Sequence, residues 1–436
     1  MHLFSILLLS SSVLLMSSAL ADDSTPEFRP LFDGRTLDGW WGCGTEDPRA
    51  WSALPPDALA KKKADSLADI EKHWSVVDGE LVNDGHGLFL TSEQEFGDFE
   101  LRLEYRTVAG ADSGIYLRGC PQVQIWDTTE AGGKWNIGAD KGSGGLWNNS
   151  PGAAGKDPVV HADRPFGEWN EFRVLMIGER VTIDLNGARV VDDARMENYF
   201  DRKKPVPARG PIQLQTHGGE IRWRDVAIRE IGPSEANAWL AARDAEGFQP
   251  IFNGEDLSGW LGATDDYQVV DGALMCRPGS GGNLFTEEVF SDFIVRLEIE
   301  LPAGGNNGLA IRYPGQGNPA YDGMCELQVL ENTAEKYAKL DVRQYHGSVY
   351  GQVAAHRGYQ RPVGEWNFQQ VTVRGSHIIV ELNGTRIVDA DVTAATDLMG
   401  GTDKFHGRTR TSGHFGFAGH NDPVRFRAVK VKKLGE

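Results

Sequence analysis

The sequence predicts an all-β protein built as two tandem antiparallel sandwiches of the jelly-roll kind. Three observations predict it: an ordered set of blocks that occurs twice, a period-two alternation inside each copy, and 53 glycines in 436 residues. That is about 12% glycine against a usual level of about 7%, with ordinary charge and hydrophobic content, which marks turns between short strands.

The repeat is read first. Phe28 to Trp40 (Phe-Arg-Pro-Leu-Phe-Asp-Gly-Arg-Thr-Leu-Asp-Gly-Trp) returns as Phe248 to Trp260, an offset of 220 residues. Val-Val-Asp-Gly, Gly-Glu-Trp-Asn and Leu-Asn-Gly then return in the same order, at offsets near 194. The change of offset places an insertion at about residues 43–73, where Pro55-Pro56 and an apolar spacing over Asp57 to Ile70 predict a surface helix. A second helical stretch, Ser234 to Ala245, joins the copies. The expected layout is a signal peptide over 1–21, a first sandwich over 22–232, a helical linker over 233–247 and a second sandwich over 248–436. Inside each copy, runs such as Phe99-Glu-Leu-Arg-Leu-Glu-Tyr105 alternate, and Asn186-Gly187 and Asn383-Gly384 are strong hairpin signals.

Residues 1–21 read as a secretion signal: an apolar stretch closes on Ala19-Leu20-Ala21, with small residues where signal peptidase needs them. Met1-His2 carries no Lys or Arg, so an uncleaved anchor is the alternative. No other stretch is long and apolar enough to span a bilayer, and the mature chain is expected in the periplasm or outside the cell. The formal charge of −18 and the lack of any basic run beyond Lys61 to Lys63 exclude nucleic acid and anionic lipid as the main partner. Four cysteines, Cys43, Cys120, Cys276 and Cys325, leave two bridges, one or none open.

Alternation then sorts side chains by face. In the first copy Tyr116 and Arg118, then Gln122, Gln124 and Trp126, then Gln213, Gln215 and His217 are expected to face away from the core, with Trp147 nearby. In the second copy the matching set is Arg312, Glu326, Gln328 and His420, joined by His346 and Tyr350. Amides, a carboxylate and Arg forks beside aromatic rings suit sugar hydroxyls, so a carbohydrate is the expected ligand. Trp40, Trp260, Trp169 and Trp366 are read as core anchors. Glu326 and Glu331 invite a two-carboxylate glycosidase reading, but an odd spacing sends them to opposite faces of a strand. Their counterparts are Gln122 and Asp127, so the first groove is expected to lack a carboxylate.

The joint order of these blocks, with Asp-Ser-Gly-Ile-Tyr-Leu-Arg (Asp112 to Arg118), Gln-Val-Gln-Ile-Trp-Asp (Gln122 to Asp127) and Ile-Gln-Leu-Gln-Thr-His-Gly (Ile212 to Gly218), resembles the 3-keto-disaccharide hydrolase domain family. The resemblance implies a concanavalin A-like fold, export, and action on glycosides oxidised at C3, where the ketone acidifies the C2 proton and the C1 aglycone leaves by elimination. Carried onto this chain it implies Glu326 or His346 as base, Arg312 and His420 as oxyanion stabilisers, Tyr350 as acid or orienter and Gln328 on ring hydroxyls. No cofactor is certain; a divalent cation on Glu326, Gln328 and a histidine is the alternative electrophile. In the first copy Tyr116, Arg118, Gln122, Gln124, Trp126, Trp147 and His217 are read as substrate-binding. The rival reading is a non-catalytic, lectin-like protein, favoured by nine of the 12 tryptophans lying between Trp40 and Trp223.

Overall fold

The computed structural model describes residues 27–435, so the signal-peptide reading of residues 1–21 lies outside the described residues. Each copy folds into two antiparallel sheets packed face to face, and the strand orders of the two copies correspond one for one. In the first copy an eight-stranded sheet runs Ala188–Arg195, Arg180–Leu185, Asn170–Ile177, Phe99–Thr107, Ile221–Glu230, Glu80–Asn83 and Trp74–Val77, with Arg29–Pro30 beside Ile221–Glu230. The facing five-stranded sheet runs Trp40–Cys43, Phe89–Phe96, Gly210–Leu214, Asp112–Leu117 and Cys120–Trp126. In the second copy the five-stranded sheet runs Trp260–Gly262, Gly281–Phe290, Gly413–His420, Asn306–Tyr313 and Cys325–Leu330.

The alternation explains both layers. Ile115, Val123, Ile125, Ile212 and Leu214 of the small sheet meet Leu101, Leu103, Val174, Ile183 and Ile228 of the large one in a single apolar core, to which Trp40 belongs. Trp260 occupies the corresponding core of the second copy. The hairpin signals act as read: Asn186 and Gly187, and Asn383 and Gly384, all have φ between +50° and +80°, the left-handed pair that a two-residue turn requires. Trp169 and Trp366 correct the expectation that they are core. Both are half-buried on the outer face of the large sheet, Trp169 under the guanidinium groups of Arg106 and Arg224 and Trp366 under those of Arg425 and Arg427.

The insertion forms helices Pro48–Ser52 and Pro56–His73. Ile70 of the longer helix joins the core and the Ser66 hydroxyl accepts from the Gly42 N–H at 2.8 Å, which docks the helix on strand Trp40–Cys43. All four cysteines are buried free thiols, so neither bridge forms, and burial pushes Cys43 and Cys120 up to about 12. Among the described residues no helix is long and apolar enough to cross a membrane.

Helix Pro233–Ala242 lies between the copies. Its Ala236 and Leu240 pack with Ile177 and Ile231 of the first copy and Phe368 of the second. Around this small core the copies are tied by Arg180 to Glu381 at 2.7 Å, both mostly buried, and by the Tyr359 hydroxyl donating to the Val206 carbonyl at 2.9 Å. Backbones touch where Gly178, at φ +58°, passes Gly384; a Cβ there would stand 2.4 Å from the Gly384 carbonyl carbon. Gly178→Ala is therefore expected to cost about 2 kcal/mol or more at the seam. Calorimetry should show a lower first transition and two separated unfolding steps.

Candidate functional sites on the small sheets

The outward face of each five-stranded sheet carries polar side chains that are nonetheless buried, because loops roof it. Gln122, Gln124, Glu326 and Gln328 are all at most 6% exposed. Burial of that kind is tolerated only when each group finds a partner. The resulting groove is about 250 Å³ in the first copy and about 180 Å³ in the second.

In the second groove, strand Cys325–Leu330 supplies Glu326 and Gln328, the end of Gly413–His420 supplies His420, and the start of Asn306–Tyr313 supplies Asn306. Glu326 Oε1 and His420 Nε2 face each other at 3.8 Å, and this contact holds His420 above the ordinary histidine value. The Gln328 amide donates to Asn306 Oδ1 at 2.7 Å. Tyr350 is carried by a loop stitched to the same strand, its N–H donating to the Glu326 carbonyl at 2.9 Å. The Tyr350 hydroxyl accepts from the Gln344 amide at 3.1 Å, which leaves its own proton for a ligand; burial raises its pKa. Room for the carboxylate comes from Gly308, where a Cβ would stand 2.2 Å from Glu326 Oε1. Asn318, Tyr321 and Tyr337 also line the groove.

Two expected members lie elsewhere. Arg312 is not in the groove: its φ of +47° breaks the alternation and turns the side chain into the protein. There the guanidinium donates to the carbonyls of Ser291, Gly375 and Arg410 and pairs with Asp292 at 2.8 Å. Arg118, at φ +52°, does the same with Gly97, Pro207 and Asp98. Both arginines fasten loops and cannot reach a ligand in these grooves. His346 is 1% exposed behind the strand; its Nδ1 accepts from the Leu330 N–H at 3.3 Å and its Nε2 donates to Gln369 Oε1 at 2.9 Å. With both nitrogens used and burial pushing it down to about 4, it is a neutral structural histidine. Glu331 accepts from the backbone N–H groups of Thr333 and Gly304, so it forms no dyad with Glu326.

The first groove gathers Tyr116, Gln122, Gln124, Trp126, Trp147, Gln215 and His217, as expected, and adds Asp112, Thr45, Asn148 and Tyr199. Asp112 corrects the expectation that this groove has no carboxylate. It stands at the start of strand Asp112–Leu117, where the second copy has Asn306, and the Glu326 position is taken by Gln122. The carboxylate has therefore moved from one strand to its neighbour between copies. Asp112 Oδ2 lies 3.0 Å from His217 Nδ1 and also contacts Lys134 Nζ, while Oδ1 accepts from the Gln124 amide at 2.8 Å. Gln122 donates in turn to Gln124. Trp126 and Trp147 meet edge to face at 5.1 Å and form an aromatic corner. The signal for Asp112 was present in the alternation of Asp112 to Arg118, one strand away from where carboxylates were sought. Among the described residues no group of three or more His, Cys, Asp or Glu is gathered; Glu326 and His420 are two side chains of ligand type, with Gln328 beside them.

Residues 27–229 and 247–432 each match the profile of the 3-keto-alpha-glucoside-1,2-lyase-like domain. The chain belongs to this family. A curated relative, the 3-keto-disaccharide hydrolase of Bacteroides thetaiotaomicron, is 28% identical over 248 residues, 47% of this chain and 85% of the relative. Among solved structures, a provisionally named glycosyl hydrolase of Parabacteroides distasonis ATCC 8503 is 24% identical, with 44% of this chain and 96% of that one covered and a TM-score of 0.39. The carbohydrate binding module CBM66 of Bacillus subtilis is 15% identical, with 40% and 96% covered and a TM-score of 0.28. Each spans about one copy of this two-copy member of the lyase-like family.

The neutral His346 carries a pH signature. Unfolded, it titrates near 6.5; folded, near 4, so the unfolded chain binds more protons between those values and this residue's contribution to stability falls as pH drops through that window. His346→Gln is expected to flatten that part of the stability curve by up to about 3 kcal/mol, read as the difference between wild-type and variant thermal unfolding from pH 7 to pH 4.

Proposed function

We propose that the protein is a carbohydrate-active enzyme that cleaves 3-keto-glycosides or 3-keto-disaccharides in its second groove. The observation that carries the reading is the facing pair Glu326 and His420, flanked by a Tyr350 hydroxyl free to donate. The family membership and the relative's activity on a 3-keto-disaccharide support the substrate class. An exported location, read from residues 1–21, is part of the same proposal.

The chemistry follows from what the groups can exchange. The C3 ketone of the sugar acidifies the C2 proton, and Glu326 is placed to take it. Charge then develops on the C3 oxygen, where His420, whose protonated form its carboxylate neighbour favours, stabilises an enolate. As the enolate collapses, the C1 to oxygen bond breaks and Tyr350 gives its proton to the departing aglycone. Water adding across the new C1=C2 bond completes net hydrolysis. Gln328 and Asn306 present amide groups to the ring hydroxyls. The buried positions of Arg312 and His346 remove them from this scheme and leave Glu326 as the base. Binding of a sugar ring is the role of the first groove's amides and tryptophans in this reading.

Incubation with 3-keto-trehalose should release glucose, and Glu326→Gln should lower kcat by 100-fold or more; no release by the wild type would overturn the reading. Because His420 acts while protonated and is raised above about 6.5, kcat/KM is expected to fall on the alkaline side of that value. A pH profile of His420→Gln should lose that limb. Gly308→Ala, which pushes on Glu326, is expected to lower kcat more than it raises KM.

A further inference from the structure

We propose that the seam between the two copies carries a binding site for a small phosphate or sulfate ester, separate from both grooves. The site is a cleft of about 390 Å³ where residues 202–205 of the first copy meet strand Thr385–Asp391 and the loop around His356 of the second. Arg195, Arg202, Lys203, Lys204 and Arg386 line it, against the carboxylates of Glu179 and Asp389 alone. In a chain of formal charge −18 this is a local reversal of sign. A cleft lined by one sign of charge focuses its field and draws in ions of the other. Four of these cations come from the first copy, while Arg386 and His356 come from the second, so neither copy holds the site by itself.

The carboxylates present are already engaged. Glu179, buried at the floor, meets Arg195 at 2.9 Å and accepts from the Arg386 N–H at 3.1 Å. Asp389 accepts from the Arg386 guanidinium at 2.5 Å and pairs with His377 at 2.6 Å. Donors are left over: the Nε groups of Arg195 and Arg386 are buried without an aligned hydrogen bond, and the Lys203 ammonium has no ion-pair partner among the described residues. An unmatched donor in such a place is satisfied by an acceptor from outside the chain. At the rim Arg202 and Lys204 rest on Glu197 and Asp201, solvent-facing pairs of the weak kind that a stronger anion displaces. His356 reports the same field from the other copy, since partial burial and the charges of Arg49 and Lys204 lower its pKa.

The shape of the cleft narrows the ligand. Its volume falls in the range of about 300–1,000 Å³ usual for small-molecule sites, more than a bare ion fills. Pro205, Val353 and Ala354 give it an apolar side for an organic body, while guanidinium forks and ammonium groups gather on the other residues. These cations stand on separate elements of two copies. The three terminal oxygens of a phosphate or sulfate ester can meet several of them together, whereas a carboxylate offers only two.

Isothermal titration calorimetry of the full-length protein at fixed ionic strength tests this with glucose 6-phosphate, glucose 6-sulfate, glucuronate, inorganic phosphate and glucose. At least one ester is expected to bind with a Kd below about 1 mM, and about tenfold or more tighter than the other three compounds. The tighter ester identifies the source, a phosphorylated metabolite or a sulfated glycan, and either one supports the site. Lys203→Gln in the first copy and His356→Ala in the second should each weaken that ester by about fivefold or more at an unchanged thermal midpoint. Lys61→Gln, an exposed charge on the insertion helix, should leave it unchanged. No binding of either ester, equal binding of glucose or glucuronate, or an affinity indifferent to Lys203→Gln or to His356→Ala overturns the proposal.

Discussion

The structure depends on one pairing: the hairpin of the small sheet in which a glycine stands beside a long polar side chain. Gly114 pairs with Gln124 and Gly308 with Gln328, and the missing side chains give Gln122 and Glu326 space to lie across the sheet under the roofing loops. A side chain at either glycine would occupy that space. The sandwich core behind the hairpin is apolar and saturated, so strand register cannot slip without sending Ile115 or Leu309 outward. The core thus fixes which residues face the groove, and the glycines decide how deeply they sit.

Duplication of this unit allows the two grooves to differ while sharing a scaffold. The strand orders coincide, yet the carboxylate sits on Cys325–Leu330 in one copy and on Asp112–Leu117 in the other. Neighbouring strands in an antiparallel pair bring such positions within one hydrogen bond of each other, as Gln124 to Asp112 and Gln328 to Asn306 show. Moving a carboxylate across the pair keeps the groove's charge and changes which partner is free. The helix Pro233–Ala242 and the close passage of Gly178 by Gly384 hold the copies against each other with the cores independent.

Much of the site was legible because period two is a strict rule inside a strand. It placed Tyr116, Gln122, Gln124, Trp126 and His217 in one groove and Glu326, Gln328 and His420 in the other. The rule fails where the backbone turns left-handed near the end of a strand. Arg118 and Arg312 adopt left-handed backbone at that point, which turns them into the protein, where a network of carbonyls and one aspartate each satisfies them. His346 lies in a loop, to which alternation does not apply, and the depth of a loop residue is set by what packs over it. Trp169 and Trp366 were read as core anchors, although an indole under two guanidinium groups is equally well served at the surface.

By itself the sequence determined that one sandwich is written twice, where its hairpins turn, which strands carry amides and carboxylates, and which family the blocks resemble, because these are properties of local order along the chain. The tertiary structure decided which polar groups touch. Asp112 and His217 are 105 residues apart and Glu326 and His420 are brought together from different strands, so their pairing is a consequence of strand order in the sheet. It also decided which charged groups are buried and bound away from the grooves, since burial is fixed by neighbours that come from distant parts of the chain.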